Sequence, residues 1–587
     1  MNSRIVWLSV CMVWGIFSSC NTDRERKIDY TRYVNPFVGN ADNGHTFPGA
    51  CAPFGLIQVS PESGNGSWRY CSGFNYDDDS IAGFSQTHLN GTGVPDLGDI
   101  RMLPFNQNLQ GERFFCRYER ETQVAMPGYY SVKLADMNID VELTVTERTA
   151  MHKYTFNQPG EANLLLDLQN GLVFNSKNIR YRVLEGEVEM LDNKTIAGYN
   201  RVRGWVARYF YYMIVFDRPY TVKKELPQEE GEKAKRFILE FDLKEGESVQ
   251  VKVALSTVGI EGAKMALDKE NPGWNFESIK AETNGKWNDM LSLAEVEGTE
   301  EEKMNFYTSM YHLFIQPTNI ADIDGKYRGA NDSIFVSSTG YYYSTFSLWD
   351  TYRNVHQLLT LVYPERQMEM VRTMLDMYRE HGWLPKWELY GRETLTMEGD
   401  PSIPVIVDTW MKGLRDFDVD LAYEAMYKSA TLPGAENLMR PDNDDYMSKG
   451  YVPLREQYDN SVSHALEYYI ADFALSRFAD ALGKKKDAEM FYKRSLGYKH
   501  YYSKEFGTFR PILPDGTFYS PFNPRQGENF EPNPGFHEGN SWNYTFYVPH
   551  DVYGLAKLMG GKKPFIDKLQ MVFDEGLYDP ANEPDIA

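Results

Sequence analysis

The chain has 587 residues, of which 25% are charged, and its formal net charge at pH 7 is −22. A chain of this length exceeds what one hydrophobic core organises, so we expect two or more domains. The strong negative charge argues against nucleic acids and anionic membrane surfaces as partners. Aromatic residues make up 14% of the chain. This proportion suits a protein that stacks aromatic faces on sugar rings, but large hydrophobic cores also use aromatic residues.

The first residues have the pattern of an export signal. A single charge, Arg4, precedes an apolar run that ends at Phe17, and two serines then lead to Cys20. This order is typical of a signal peptide over residues 1–19. The cysteine resembles a lipoprotein box, which predicts that Cys20 carries a lipid; the alternative is an ordinary signal peptide that is cut elsewhere. We therefore expect an exported protein, anchored to the bacterial envelope and touching the membrane only through its lipid.

The next part of the chain has the pattern of antiparallel β structure. Apolar residues alternate with polar ones over Ile139–Val145 and again over Val249–Leu255, the period of a half-buried strand. Glycine, asparagine, aspartate and proline interrupt the chain about every ten residues, as in sandwiches. The sequence predicts a β-sandwich over residues 31–270, after a lipoprotein linker over residues 20–30.

The pattern changes near Asn271. Residues 271–300 are predicted to form a helical linker, and beyond it apolar residues recur at helical spacings, as from Met304 to Phe314. Pairs of helices joined by short turns favour a helical toroid over residues 301–587, because the helices are too many for one four-helix bundle. The chain ends directly after a helical segment, so we expect the toroid to be incomplete at its C-terminal end.

The densest group of polar residues lies in the stretch from Gly535 to Asp551. Its carboxyl group, Glu538, has Phe536 and Trp542 as neighbours in sequence. Partial desolvation there would raise the pKa of Glu538 and keep a proton on it near neutral pH. Such a carboxyl can act as the general acid in glycoside hydrolysis. The alternative is that Glu538 caps the helix that follows.

A second group surrounds Asp350. This carboxylate can accept hydrogen bonds from sugar hydroxyls, with Trp349 as a stacking wall; the alternative is an ion pair with Arg353 on one helix face. Glycine-rich segments at 43–49, 60–64 and 83–93 predict tightly shaped loops and not sheet interior, or simply the turns of the sandwich. Further polar stretches occur at 384–387, 397–400 and 582–584.

Taken in chain order, these stretches resemble glycoside hydrolase family 92, the bacterial exo-acting α-mannosidases. The resemblance runs from about Tyr33 to the last residue. It implies a β-sandwich and an (α/α)6 barrel with the active site between them, an inverting mechanism, and a mannose-containing glycan as substrate, with α-1,2 linkages expected. It makes Glu538 the general acid. The expected substrate-binding residues are Asp350, Trp349, Glu583, Asn582, Gly64, Trp68 and His88.

The resemblance also implies Ca²⁺ as cofactor, near Asn582 and Glu583. Calcium takes many oxygen ligands, so it can hold O2 and O3 of mannose together with carbonyl and amide oxygens. Holding both would flatten the sugar ring toward its transition state. Such a site leaves little trace in a sequence, so no metal ligand is predicted.

The sequence departs from the family pattern in two ways. Gly399 and Asp400 are followed by Pro401 where the family has histidine, which leaves the linkage preference open. The family's general base is an aspartate downstream of Asn582–Pro584, and the chain ends first, although inversion needs a second carboxylate roughly 6.5–9.5 Å from the acid. We expect the chain alone to release no mannose. The alternatives are a mannan-binding surface lipoprotein derived from such an enzyme, and a different (α/α)6 hydrolase such as a glucosidase.

Overall fold

The computed structural model describes residues 28–106, 114–455, 460–527 and 534–576. The predicted signal peptide, Cys20, Asn582 and Glu583 lie outside these ranges. Within them, no helix is long and apolar enough to cross a membrane.

The strands between Ala50 and Ser256 form two antiparallel sheets. In spatial order, the seven-stranded sheet contains Ala50–Cys51, Gln58–Glu62, Gly83–Ser85, Arg101–Phe105, Ala162–Asp167, Arg236–Phe241 and Tyr220–Glu225. The nine-stranded sheet contains Val183–Met190, Thr195–Arg203, Ala207–Phe216, Ser248–Ser256, Thr149–Phe156, Ile139–Val145, Tyr129–Leu134, Cys116–Met126 and Ser80–Ile81.

Alternation of apolar and polar residues explains how the two sheets pack. In Ile139–Val145 the alternating apolar residues are fully buried, whereas Asp140 and Glu142 keep partial exposure. Val141 of this sheet and Leu165 of the other belong to one hydrophobic cluster. Each such buried side chain contributes about 1.5–3 kcal/mol to the free energy of folding, so the shared core holds the sheets together as a sandwich.

Helices dominate the chain after Ser256. They are Ile260–Glu270, Phe276–Leu291, Glu300–Leu313, Leu348–Thr351, Val355–Val362, Pro364–His381, Ser402–Met411, Val419–Thr431, Asn443–Lys449, Ser461–Ala481, Lys485–Ser495, Ser541–Tyr544, Val552–Leu558 and Lys562–Gly576. Short strands lie between them: Thr318–Asn319 with Tyr343–Ser344, Lys326–Arg328 with Ile334–Val336, Phe346–Ser347 with Trp387–Leu389 and Arg392–Glu393, and Tyr502–Ser503 with Thr508–Phe509.

The helix Ser461–Ala481 is the most enclosed of the helical domain and has buried residues on every side. It packs against Lys485–Ser495 after a short turn in which Gly483 adopts φ +77°, a left-handed conformation that favours glycine. The predicted order, an antiparallel β domain followed by a helical domain, is confirmed. Whether the helices complete a ring of six pairs stays a prediction.

One predicted helix face differs in detail. Tyr307, Tyr311 and Phe314 are buried as expected, but Met304 is 41% exposed. The helix begins at Glu300, so Met304 lies near a solvent-facing N-terminus. A helical spacing identifies the face of a helix, but not how far along that face the core extends.

Specific contacts fix the two domains against each other. The Nε1 of Trp287, a fully buried residue, donates a hydrogen bond to the Cys51 carbonyl at 2.7 Å. Arg148 of the sandwich donates from Nε to the Ala321 carbonyl, also at 2.7 Å. These buried contacts place the sandwich loops beside the helical domain.

Candidate active site

A cleft of about 570 Å³ lies between the two domains. The sandwich contributes Trp68, the loop 90–94 and Trp205 to its walls. The helical domain contributes Asp350 and Glu538. The structure therefore brings together three of the residues predicted from separate parts of the sequence: Glu538, Asp350 and Trp68.

Glu538 faces the cleft because its loop is anchored on both sides. Phe536 is fully buried, the Val462 backbone N–H donates to the Gly535 carbonyl at 3.0 Å, and the Tyr544 hydroxyl donates to the His537 carbonyl at 2.6 Å. Glu538 itself has φ +44°, a left-handed conformation that costs a non-glycine residue roughly 1–2 kcal/mol. Strain of this kind persists only where the surroundings enforce it, and it concentrates at functional sites.

The alternative role predicted for Glu538, capping of the next helix, belongs to another residue. The helix Ser541–Tyr544 is capped by Asn540, whose side chain accepts a hydrogen bond from the Trp542 backbone N–H at 2.9 Å. The Glu538 side chain is 52% exposed. Packing against neighbouring aromatic rings therefore desolvates it less than the sequence suggested.

A buried carboxylate lies behind the loop that presents Glu538. Glu398 is 2% exposed, and its Oε1 lies 2.6 Å from Nδ1 of His537 and 3.2 Å from Nδ2 of Asn460. The Nε2 of His537 lies 4.0 Å from Oε1 of Glu538. Burial opposes the ionisation of Glu398, but the hydrogen bond to His537 and the charge of His464 outweigh it, so the pKa of Glu398 lies below its ordinary value.

Two further ionisable pairs surround Glu398. His464 Nδ1 lies 3.1 Å from Oδ2 of buried Asp442. Burial lowers the pKa of His464, but the attraction to Asp442 raises it by more, so the pKa lies above its ordinary value. Glu467 behaves differently, since burial raises its pKa to about 8 despite the ion pair with Arg353 at 3.0 Å. Glu398 and Glu467, both buried, thus have opposite protonation preferences.

Asp350 is exposed to the cleft, and its carboxylate accepts a hydrogen bond from the Ser347 hydroxyl. Desolvation by the protein around the cleft raises the pKa of Asp350. The hydrogen bond from Ser347 and the charge of Arg353 partly offset this increase. Arg353 pairs with Glu467 and not with Asp350. Asp350 is therefore positioned to accept hydrogen bonds from a bound molecule.

Trp349 does not line the cleft. It is 9% exposed, and the guanidinium of Arg353 covers its ring at 4.5 Å from the centroid. Trp349 is therefore not placed to stack on a sugar in the cleft, as the sequence suggested. The tryptophans that line the cleft are Trp68, Trp205 and Trp387.

Trp68 is 41% exposed, and its Nε1 donates to the Gly93 carbonyl at 2.8 Å, which ties it to the loop 90–94. Gly64 lies behind this wall, where a Cβ would come within 2.4 Å of the Tyr70 ring. His88 is fully buried and bonds to Ser85 and to the Gln58 carbonyl. Burial lowers the pKa of His88 to about 4, so in this structure it supports the loop and does not face the cleft.

The cleft contains two oxygen donors of the kind that Ca²⁺ binds. Asn90 contributes a buried Oδ1 that has no hydrogen-bond partner, and Asp350 contributes a carboxylate. Among the described residues, however, no group of three or more His, Cys, Asp or Glu side chains could hold a metal ion. Ca²⁺ also takes carbonyl and amide oxygens as ligands, so Asp350 and Asn90 are the described residues that would hold it. Asn582 and Glu583 lie outside the described part.

The sequence did not reveal several residues of this site. Trp205 and Trp387 come from different domains and their rings lie 4.5 Å apart, a proximity that no spacing encodes. Glu398 belongs to a stretch already noted for its polar residues, but its pairing with His537 joins positions far apart in the chain. The sequence feature that could have identified Glu398 is its position as a carboxylate in a glycine-rich loop.

A cleft between a sandwich and a helical domain, lined by the carboxyl groups of Glu538 and Asp350 and by tryptophan side chains, is the arrangement expected of a glycoside hydrolase. Comparisons with known proteins agree. The family model described as the glycosyl hydrolase family 92 N-terminal domain matches residues 33–256, and the one described as the family's catalytic domain matches residues 262–587. The chain therefore belongs to glycosyl hydrolase family 92.

Individual relatives support the same assignment. A family GH92 α-mannosidase from Bacteroides thetaiotaomicron is 32% identical with a TM-score of 0.86, over 95% of this chain and 77% of that chain; it has also been solved with mannoimidazole. An inverting family GH92 mannosidase from the same organism is 26% identical with a TM-score of 0.83, over 94% and 76%. An uncharacterized secreted glycosidase from Arthroderma benhamiae is 26% identical, over 95% and 75%.

Proposed function

We propose that the protein is an exo-α-mannosidase that releases terminal mannose from glycans, with α-1,2 linkages as its first candidates. The observation that carries the proposal is the position of Glu538, anchored in a left-handed conformation and facing the same cleft as Asp350 and Trp68. The similarity to an α-mannosidase and to an inverting mannosidase supports mannose as the substrate.

In the proposed reaction, Glu538 donates its proton to the glycosidic oxygen as the bond to the anomeric carbon breaks. Sugar binding would remove water from the exposed Glu538 carboxyl and favour its protonated form. Asp350 would accept hydrogen bonds from hydroxyls of the terminal sugar, and Trp68 would stack on its ring. We propose that a second carboxylate acts as the general base and takes a proton from a water molecule, which attacks the anomeric carbon from the opposite face and inverts its configuration.

Binding of Ca²⁺ in the cleft is part of the proposed function. When bound, the ion would polarise vicinal hydroxyls of mannose. Adding Ca²⁺ to the chain is expected to raise its thermal midpoint in a chelator-reversible way, because a ligand that binds the folded state stabilises it. No change in midpoint at millimolar Ca²⁺ would count against calcium.

The central test compares Glu538→Gln with Glu301→Gln, an exposed glutamate on the helix Glu300–Leu313. Release of mannose from aryl α-mannosides is measured for the wild type and both variants, with α-glucosides as the substrate control. Glu538→Gln should lower kcat by about 10²–10⁴-fold, least for aryl groups that leave without a proton. An equal loss with both variants, or faster α-glucoside hydrolysis, would overturn the proposal.

The same proteins test the binding alternative. Mannoimidazole binding is measured by calorimetry on the 587-residue chain. Tight binding together with no mannose release would favour a mannan-binding lipoprotein over an enzyme.

We also propose that the protein is exported and lipidated at Cys20, in line with the description of its fungal relative as secreted. Metabolic labelling with a fatty acid should mark the wild-type chain and not Cys20→Ser. Label that survives this substitution would contradict lipidation at Cys20.

A further inference from the structure

A second groove, of about 590 Å³, opens on the sandwich domain directly beside the cleft. Val94 and Trp205 line both spaces, so the groove continues the cleft along the surface. None of the roles assigned above uses it.

The outer end of the groove exposes two large aromatic side chains. Phe174 is 53% exposed and Tyr181 is 63% exposed, and both belong to the connection between the strands Ala162–Asp167 and Val183–Met190. Exposed apolar groups gathered in one depression and rimmed by polar residues mark binding surfaces. Single exposed aromatic residues would need no such explanation.

The groove stands on a rigid base. Arg182 beneath it is fully buried, pairs with Asp99 at 2.7 Å, and donates to the Leu97 and Asn170 carbonyls. The Tyr181 ring packs so closely on Gly231 that a Cβ there would lie 2.5 Å from it. The Tyr181 ring is therefore held in place before any ligand binds, which lowers the entropic cost of binding.

The chemistry of the groove fits a sugar chain. The rings of Phe174 and Tyr181 offer flat apolar faces, and the exposed side chains of Asn178 and Arg203 offer hydrogen-bond donors between them. Neutral sugars present the same combination of apolar ring faces and hydroxyls. The size of the groove is that of a small-molecule pocket, which disfavours a docked protein.

We propose that this groove binds the sugars that follow the terminal mannose of a glycan whose end lies in the cleft. The inference rests on the proposed function, because it assumes that the cleft holds a mannose. It adds that the preferred substrate is an oligosaccharide and not a disaccharide or an aryl mannoside.

Calorimetry tests the groove separately from catalysis. In a Glu538→Gln background, which prevents turnover, methyl α-mannoside and a linear mannooligosaccharide of five or six sugars are titrated into three proteins. These are the background itself, the added Phe174→Ala/Tyr181→Ala pair, and the added control Tyr553→Ala. Tyr553 is 93% exposed and lies on the helix Val552–Leu558, outside the groove.

The double substitution should raise the Kd of the oligosaccharide by about tenfold or more, leave methyl α-mannoside within about twofold, and leave the thermal midpoint unchanged. The Tyr553→Ala control should bind both ligands normally. Suppose that the Glu538→Gln protein binds methyl α-mannoside. If the double substitution then leaves the affinity for the oligosaccharide unchanged, or weakens the binding of both ligands equally, the groove proposal is wrong while the proposed function stands. If the background binds neither sugar, both proposals fail. The two single variants serve as the check if the double variant does not fold.

Discussion

Replacement of Glu398 by glutamine tests whether the buried carboxylate behind His537 supports the proton donor. The substitution keeps the size of the side chain and removes its charge. Glu398 accepts from His537 at 2.6 Å and from Asn460 at 3.2 Å, and charge-assisted hydrogen bonds contribute roughly 1.5–3 kcal/mol. Because the glutamine amide also adds a buried donor, we expect a loss of about 2–4 kcal/mol in the free energy of unfolding.

The loss should depend on pH in a defined way. Glu398 has a lowered pKa, so its stabilisation is present above its ordinary value of 4.5 and is lost as the pH falls through the folded pKa. His464 has a raised pKa, so its contribution is present below 6.5 and is lost as the pH rises through its folded value. Lys386 also lies near both Glu398 and His464 and lowers the pKa of each. The destabilisation by Glu398→Gln should therefore be largest between about pH 5 and 6.5 and shrink toward pH 9.

Glu467→Gln is the matched control, since Glu467 is also buried but its pKa is raised to about 8. Its carboxyl keeps a proton on folding, so wild-type stability falls as the pH rises from about 4.5 to about 8. Relative to wild type, Glu467→Gln should gain stability as the pH rises from about 4.5 to about 8, whereas Glu398→Gln should lose stability as the pH rises through 4.5. Urea unfolding followed by tryptophan fluorescence at pH 4, 5.5, 7 and 9 measures both.

Activity gives the second readout for Glu398→Gln. If Glu398 holds the loop of Glu538 through His537, kcat should fall about 10- to 100-fold with little change in KM. Equal destabilisation at pH 5.5 and pH 9, or an unchanged kcat, would refute the reasoning.

Two further predictions concern the walls and the frame of the site. Trp68→Ala should weaken mannoimidazole binding by about tenfold without lowering the thermal midpoint, because the side chain is 41% exposed; calorimetry and a melting curve check both, and a lowered midpoint would assign Trp68 a structural role. Asp99→Asn should cost about 3–5 kcal/mol in urea unfolding, since Asp99 pairs at 2.7 Å with each of two buried arginines, Arg182 and Arg208; a loss below about 1 kcal/mol would show that the arginines find other partners.

The sequence predicted the fold well where periodicity is strong. The alternation over Ile139–Val145 and the helical spacing from Met304 to Phe314 both correspond to elements of the expected kind. Periodicity fails at ends and surfaces, as at Met304, because it records which face is apolar and not how much protein covers it. The order of strands in the two sheets was beyond prediction, since it depends on pairings between distant segments.

For the site, the sequence identified Glu538, Asp350 and Trp68, all of which line the cleft. It misjudged the surroundings of Trp349, because Arg353, whose pairing with Asp350 was the alternative interpretation, covers that ring. Side-chain partners within a few residues are easy to propose, but the actual partner of Arg353 is Glu467, more than a hundred residues away. Such pairings follow from the packing of whole helices.

The division of the cleft between two domains separates two kinds of evolutionary change. The proposed proton donor and its buried support lie in the helical domain, whereas the loop 90–94 and Trp68 belong to the sandwich. Substitutions in the sandwich loops can alter which glycan is admitted and leave the acid and its hydrogen bonds untouched. Diversification of substrate range within this architecture is then a matter of exchanging loops on one domain, and variants made by loop grafting should keep their fold.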